Sequence, residues 1–210
     1  MKESSFREPC TEIVPKFIAK RLVIRDFELV DAPDLAENLN HPDVSRYMSD
    51  VPHPFPPKLA ERWIQYWMKL SQITPRSEYE LAIELSSEKR IVGAATLTNV
   101  NRDSGTASIA YWLGKRYWGQ GIASEALGHV IEFAFGKLGL QKLGAELFVD
   151  NHLSERLLRK FGFRHQTTLK NLRKSRATGK THDAHVYELP REEWISRKEE
   201  NGLYDLRETA

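Results

Sequence analysis

The sequence predicts an α/β protein built on a single mixed, mostly antiparallel sheet with helices on both faces. Three observations point there. Three β-rich runs succeed one another between residues 79 and 114 with only short turn-like breaks. Further on, runs with helical spacing alternate with more strand-like segments. Two glycines, Gly119 and Gly121, stand immediately before the longer of those helical runs.

The elements follow in order. Residues 1–20 are polar and broken by Pro9 and Pro15, so they read as an N-terminal arm or a short leading strand ahead of a domain at 21–194. Arg21–Phe27 is β-rich and alternating, which predicts a strand. Asp31 is expected to cap a short helix with Pro33 in its first turn, and the segment from His41 to Met48 adds another turn. Four prolines between Pro52 and Pro57 exclude a helix or a central strand. Leu59, Trp63, Trp67 and Leu70 then mark an amphipathic helix whose tryptophans belong in the core. Tyr79–Leu85, Arg90–Val100 and Thr106–Gly114 form an antiparallel meander. A helix from Ile122 to Gly139, a strand at Lys142–Asp150 and a helix from His152 ending near Gly162 come next. A strand at 163–171, a loop at 172–183 and a strand at 184–190 complete the order β-α-α-β-β-β-α-β-α-β-β. Residues 195–210 form a charged tail with one helical turn at most.

Composition narrows the function classes. With 210 residues and a formal charge of +2, the chain suits one domain with a real core and carries no bulk argument for nucleic acid. The one cysteine, Cys10, rules out an internal disulfide and a cysteine-built metal cage, and it fits a reducing cytoplasm. The N-terminus lacks the apolar stretch of a secretory signal, and no apolar run has transmembrane length. Seven scattered histidines show no metal-ligand spacing, so no metal is expected. Lys170, Arg173, Lys174, Arg176 and Lys180 read as a solvated hairpin loop, with ribosomal RNA or an acidic acceptor as the alternative partner. No aromatics interleave with them, which argues against a single-strand stacking platform.

The glycine turn carries the chemistry. A helix N-terminus leaves amides without partners and has a partial positive charge, and glycines let a ligand approach the backbone closely. The segment Gly119 to Ser124 therefore reads as an anion cradle, most simply for a phosphate or diphosphate, against the plain alternative of a tight turn. A Walker A loop is excluded because no Gly-Lys-Ser/Thr occurs, and the dinucleotide fingerprint would need glycine where Ser124 stands.

The stretch WGQGIASEAL (Trp118–Leu127) resembles the acyl-CoA diphosphate loop of the Gcn5-related N-acetyltransferases (GNAT), written Q/R-x-x-G-x-G/A, with Gly121 and Ala123 at its last glycine and small positions. Trp118 stands where that pattern has Gln or Arg, but it matches the ribosomal-protein N-terminal acetyltransferase (RimJ/RimL-like) branch, whose members often read Tyr-Trp-Gly-x-Gly-x-Ala-x-Glu-Ala. The segment 151–163 is similar to that branch's second signature, N-x-x-S-x-x-x-L-x-K-x-G-F, and the resemblance spans about 20–194.

The resemblance implies the GNAT fold and transfer of an acetyl group from acetyl-CoA to a primary amine, a protein N-terminus or a small amine, by direct attack in a ternary complex. It implies that the fourth and fifth strands splay and that the pantetheine arm pairs with the backbone of Ala110, Tyr111, Trp112 and Leu113. The diphosphate would sit on Gly119, Gln120, Gly121, Ile122, Ala123 and Ser124. Asn151 would bond the arm, and Ser154 would lie near the sulfur as general acid; helix capping is the alternative for both. Many members carry Glu-Gly where this chain has Gln166-Thr167, and glutamine cannot accept a proton. Replacement bases are His165, Glu80, Glu84 and Glu146, or a water chain; Glu84 and Glu146 read by default as solvated strand-face charges and His165 as a surface residue, and no base is assigned. Family members are commonly dimers, so a homodimer is an expectation of the resemblance. Competing readings are a non-catalytic CoA-binding module, for which Gln166 speaks, and a nucleotide-dependent oxidoreductase.

Overall fold

Alternation decides which side of each strand is buried, and the computed structural model, which describes residues 16–201, shows how the two sides are covered. The strands are β1 (Phe17–Ile18), β2 (Leu22–Asp26), β3 (Tyr79–Leu85), β4 (Arg90–Asn101), β5 (Thr106–Leu113), β6 (Lys142–Phe148), β7 (Arg164–Lys174) and β8 (Thr181–Pro190). The helices are α1 (Ala32–Leu39), α2 (Pro42–Ser45), α3 (Pro57–Leu70), α4 (Ile122–Glu132), α5 (His152–Lys160) and α6 (Arg191–Asn201). Tyr79, Leu81 and Ile83 of β3 enter the larger core with Leu97, Ile109 and the apolar sides of α4 and α5. Ala82, Ile91 and Ala94 enter a second core with Leu35 of α1 and Ile64 of α3. The two faces below are named first and second in that sense.

The strand order is β1-β2-β3-β4-β5-β6-β8-β7, with every pairing antiparallel except β5 with β6. That parallel contact spans Thr106–Lys142, Ala107–Leu143 and Ser108–Gly144, after which the strands diverge. The outer sides of both strands stay paired, β5 with β4 up to Leu113 and β6 with β8 up to Phe148. A wedge-shaped gap therefore opens between residues 109–113 and 145–148.

Three expectations need correction. Both ends of the loop at 172–183 are ladder: Arg173 pairs with His182 and Lys174 with Thr181, past a bulge between Leu169 and Arg173. β7 is an edge strand exposed along nearly its whole length, so it has no apolar alternation, and its lysines and arginines suit an edge that must not recruit another strand. The charged tail holds a full helix at Arg191–Asn201, because Trp194 is 3% exposed, lies 6.0 Å from the Phe161 ring and donates to Glu132 at 3.1 Å. Asp31 does not cap α1 with its side chain; its carboxylate pairs with Arg25 at 2.8 Å and accepts the Glu28 N–H. The short leading strand in the arm is β1, paired to β2. Trp63 and Trp67 do pack the second core, at 5.2 Å from Phe55 and 5.0 Å from Phe27.

Candidate functional site

A cavity of about 270 Å³ lies on the β5 side of the wedge, between the end of β5 and α5, and runs to the start of α4. From β5 it is lined by Tyr111, Trp112 and Leu113, and from the glycine turn by Gly119, Gly121, Ile122, Ala123 and Ser124. Asn151 and Ser154 line it from α5. Ten of the twelve sequence-predicted positions thus surround one space. Ala110 lies on the exposed second face one residue short of the lining, and the Gln120 amide turns away to donate to the Arg116 carbonyl at 2.7 Å.

The turn is shaped by its glycines. Gly119 has φ +73° and Gly121 φ +77°, both left-handed. A Cβ at Gly119 would meet nothing within 4 Å, and one at Gly121 would meet only the Arg21 guanidinium at 3.6 Å. The first intrahelical bond of α4 runs from Glu125 N–H to the Gly121 carbonyl at 3.0 Å, so the turn before it points helix-start amides at the cavity. Two cations sit around this turn. Arg21 pairs with Glu125 at 2.9 Å and donates to the Gln120 carbonyl at 3.2 Å, and Lys160 of α5 donates to the Ser124 hydroxyl at 2.7 Å. An open cradle with positive φ, helix-start amides and two cations fits a diphosphate.

The apolar part of the cavity is ordered from its rim. Trp118 donates its indole N–H to the Leu113 carbonyl at 2.8 Å, and Lys115 lies over its ring at 4.2 Å. Tyr111 and Trp112 face opposite sides, one packing each core, as alternation requires. The Tyr111 hydroxyl donates to the Ser154 carbonyl at 3.3 Å, and burial pushes its phenol up to about 12. The Asn151 side-chain oxygen accepts the Ser154 N–H at 3.3 Å, so Asn151 does cap α5 while it lines the cavity.

Sequence reasoning missed several members. Val44, Tyr47 and Met48, in and just after α2, close the cavity from the second face, and Leu153 and Leu157 of α5 line it from the first. Arg21 is 99 residues from the carbonyl it bonds, which no local pattern reveals, whereas Lys160 was visible as the lysine of the second signature. Among the proposed bases, Glu84 is held by Arg25 at 2.9 Å and Glu146 by Arg173 at 3.1 Å. His165 bonds Thr168 on the exposed edge, and Gln166 occupies the bulge there with its amide on the Arg164 carbonyl at 3.2 Å. Glu80 is half-buried beside α3, and burial pushes its carboxyl up to about 7. Among the described residues no cluster of His, Cys, Asp and Glu could hold a metal ion, and no helix is long and apolar enough to cross a membrane.

A splayed sheet with an anion cradle at one end of the gap defines an acyl-group transferase type of site. The chain belongs to the acetyltransferase (GNAT) domain family, whose model matches residues 21–164. Uncharacterized N-acetyltransferase p20 of Bacillus licheniformis is 29% identical over 175 residues, covering 83% of this chain and 96% of that protein. Among solved structures, RimL, a ribosomal L7/L12 alpha-N-protein acetyltransferase in complex with coenzyme A, superposes with a TM-score of 0.73 at 19% identity, covering 85% of this chain and 98% of the other. The microcin C7 self-immunity acetyltransferase MccE, in complex with acetyl-CoA and AMP, superposes with a TM-score of 0.72 at 20% identity, covering 82% and 93%. These two likenesses are of fold.

Proposed function

We propose that the protein transfers the acetyl group of acetyl-CoA to a primary amine, with a protein N-terminus as the leading acceptor, by direct attack in a ternary complex. The observation that carries this is one cavity that joins the end of β5 and the start of α5 to the glycine cradle. The cradle of Gly119 to Ser124, with Arg21 and Lys160, suits the diphosphate. The open edge of β5 at Ala110–Leu113 offers backbone groups to the pantetheine arm. Ser154, whose backbone is held from both sides by Asn151 and Tyr111, is the general acid for the leaving thiolate. The fold likeness to RimL, and the tryptophan at position 118, support a peptide amine over a small one.

A pooled screen tests this reading. The protein and acetyl-CoA are incubated with peptides of varied N-termini, polyamines and aminoglycosides, read by mass spectrometry, while calorimetry follows CoA binding. Acetylated peptide N-termini are expected. An acetylated small amine alone would redirect the acceptor, and CoA binding without any product would favour the non-catalytic reading that Gln166 suggests.

A further inference from the structure

The second face of the sheet holds a cavity of about 310 Å³ against α3. Tyr66, Trp67 and Leu70 wall it from the helix, and Glu80, Thr96 and Thr98 form its sheet side. Glu80 pairs with Thr96, and Thr96 pairs with Ala110, so the three form one row across β3, β4 and β5. Adjacent strands lie about 4.8 Å apart, which places the Glu80 backbone roughly 10 Å from the open edge of β5, with its side chain standing on the second face under α3. Only short side chains floor the path: Thr96 and Ala110 in this row, Thr98 and Ser108 in the next, with Ser108 and Ala110 exposed.

The path ends at a particular place in the gap. The anion cradle lies beyond Leu113, at the wide end of the wedge, and β5 and β6 rejoin at Ser108 and Gly144. A thioester whose diphosphate occupies the cradle extends toward Ala110, so the acyl carbon falls at the narrow end, in the same cross-strand row as Glu80.

We propose that Glu80 is the general base, taking the acceptor's proton through a short chain of water over Thr96 toward the Ala110 end of the gap. This rests on the acetyl-transfer reading above. The acceptor's ammonium gives one proton to the Glu80 carboxylate, and the freed nitrogen pair attacks the thioester carbonyl carbon. As the C–N bond forms and the C–S bond breaks, the bonding pair leaves on sulfur, which takes the Ser154 hydroxyl proton while the second amine proton restores Ser154. Glu80 then returns its own proton to solvent.

The surroundings agree. The charged and titratable groups around Glu80 are Glu78 at the head of β3, Arg76 in the preceding loop and Tyr66 on α3. Arg76 is committed to Asp26 at 2.6 Å and stacks on Tyr79, so it leaves the Glu80 carboxyl without a salt-bridge partner strong enough to depress it. Burial dominates, a Thr96 hydrogen bond opposes it and the Glu78 charge adds to it, and the result is a carboxyl near 7, suited to exchange protons at neutral pH. The rival is His182 of β8, which stacks on Phe148 at 4.4 Å and has a buried Nε2 with no partner.

The test uses the full-length protein, acetyl-CoA, and spermidine and an alanine-initiated peptide as acceptor probes. Rates are followed against pH for wild type, Glu80→Gln, Glu80→Asp and His182→Gln, with melts to show that each variant folds and calorimetry to measure acetyl-CoA affinity. Glu80→Gln should lower kcat by about 100-fold or more, erase the acidic limb of the profile and leave acetyl-CoA affinity unchanged. Glu80→Asp should restore part of the rate and the limb. A folded Glu80→Gln that keeps the wild-type limb overturns the proposal, as does loss of the limb in His182→Gln alone. Wild type that binds acetyl-CoA and acetylates neither probe nor any pooled amine overturns the acetyl-transfer reading instead, a distinct result.

Discussion

The Tyr111 hydroxyl reaches the Ser154 carbonyl at 3.3 Å, so β5 is tied to α5 directly over the wedge that separates β5 from β6. Tyr111→Phe removes this tie and nothing else of the cavity's shape. The loss should lower stability by about 1 kcal/mol, read as a drop in melting temperature. Because the phenol titrates only at about 12, the pH–rate profile should keep its shape below that value.

Ser154→Ala should lower kcat by at least tenfold while calorimetry finds acetyl-CoA affinity nearly unchanged, the pattern of a group that acts on the leaving thiolate. Full activity in that variant would remove the general-acid role. Asn151→Ala, by contrast, should also destabilise α5 by about 1 kcal/mol, since its oxygen caps the helix at Ser154.

Gly121→Trp places an indole in a left-handed turn at the mouth of the cradle, where φ is +77°. Binding of CoA should vanish in calorimetry while the far-ultraviolet spectrum is retained. Unchanged affinity would remove the phosphate assignment of the turn.

Lys160→Ala should weaken CoA binding by about tenfold, the loss expected for one charge-assisted contact, with the difference shrinking at high salt. Pantetheine, which lacks the phosphates, should bind wild type and variant equally. Lys160 is a cleaner test than Arg21, which also holds Glu125 at 2.9 Å.

Glu80 gives a stability signature of its own. Its folded pKa of about 7 lies above the ordinary carboxylate value of 4.5, so the folded state binds more protons in that interval. The stability it contributes is therefore present at low pH and is lost as pH rises from about 4.5 through 7. Glu80→Gln should flatten this decline, and melts at pH 5 and pH 8, about the two ends of the window, should differ less for the variant than for wild type.

The meander and the helix at the glycine turn were legible because β3, β4 and β5 are β-rich runs joined by short turns and because two glycines stop before an apolar helical run. The cavity residues of β5, the turn and α5 were legible through motif resemblance. The far end of β7, past Asn171, was not, since an edge strand with almost no buried side chain has no pattern to mark where it stops. The docked helix α6 hung on a single tryptophan, and Arg21 and Tyr47 reach the site only through tertiary folding. The contrast between Glu80 and Glu84, four residues apart on the same strand face, was invisible for a related reason: α3 shelters the first and Arg25 stands beside the second.

The parallel contact of β5 and β6 is three residue pairs long, and everything on either side of it belongs to one half of the sheet or the other. The molecule is thus two leaves bound along a short spine. Whatever lodges between the leaves acts as a splint, bracing β5 and β6 together and slowing their relative breathing. A filled gap should make the protein measurably stiffer, with a melting temperature that climbs with co-substrate concentration by the amount its affinity dictates, about 2.7 kcal/mol at a hundredfold excess over Kd.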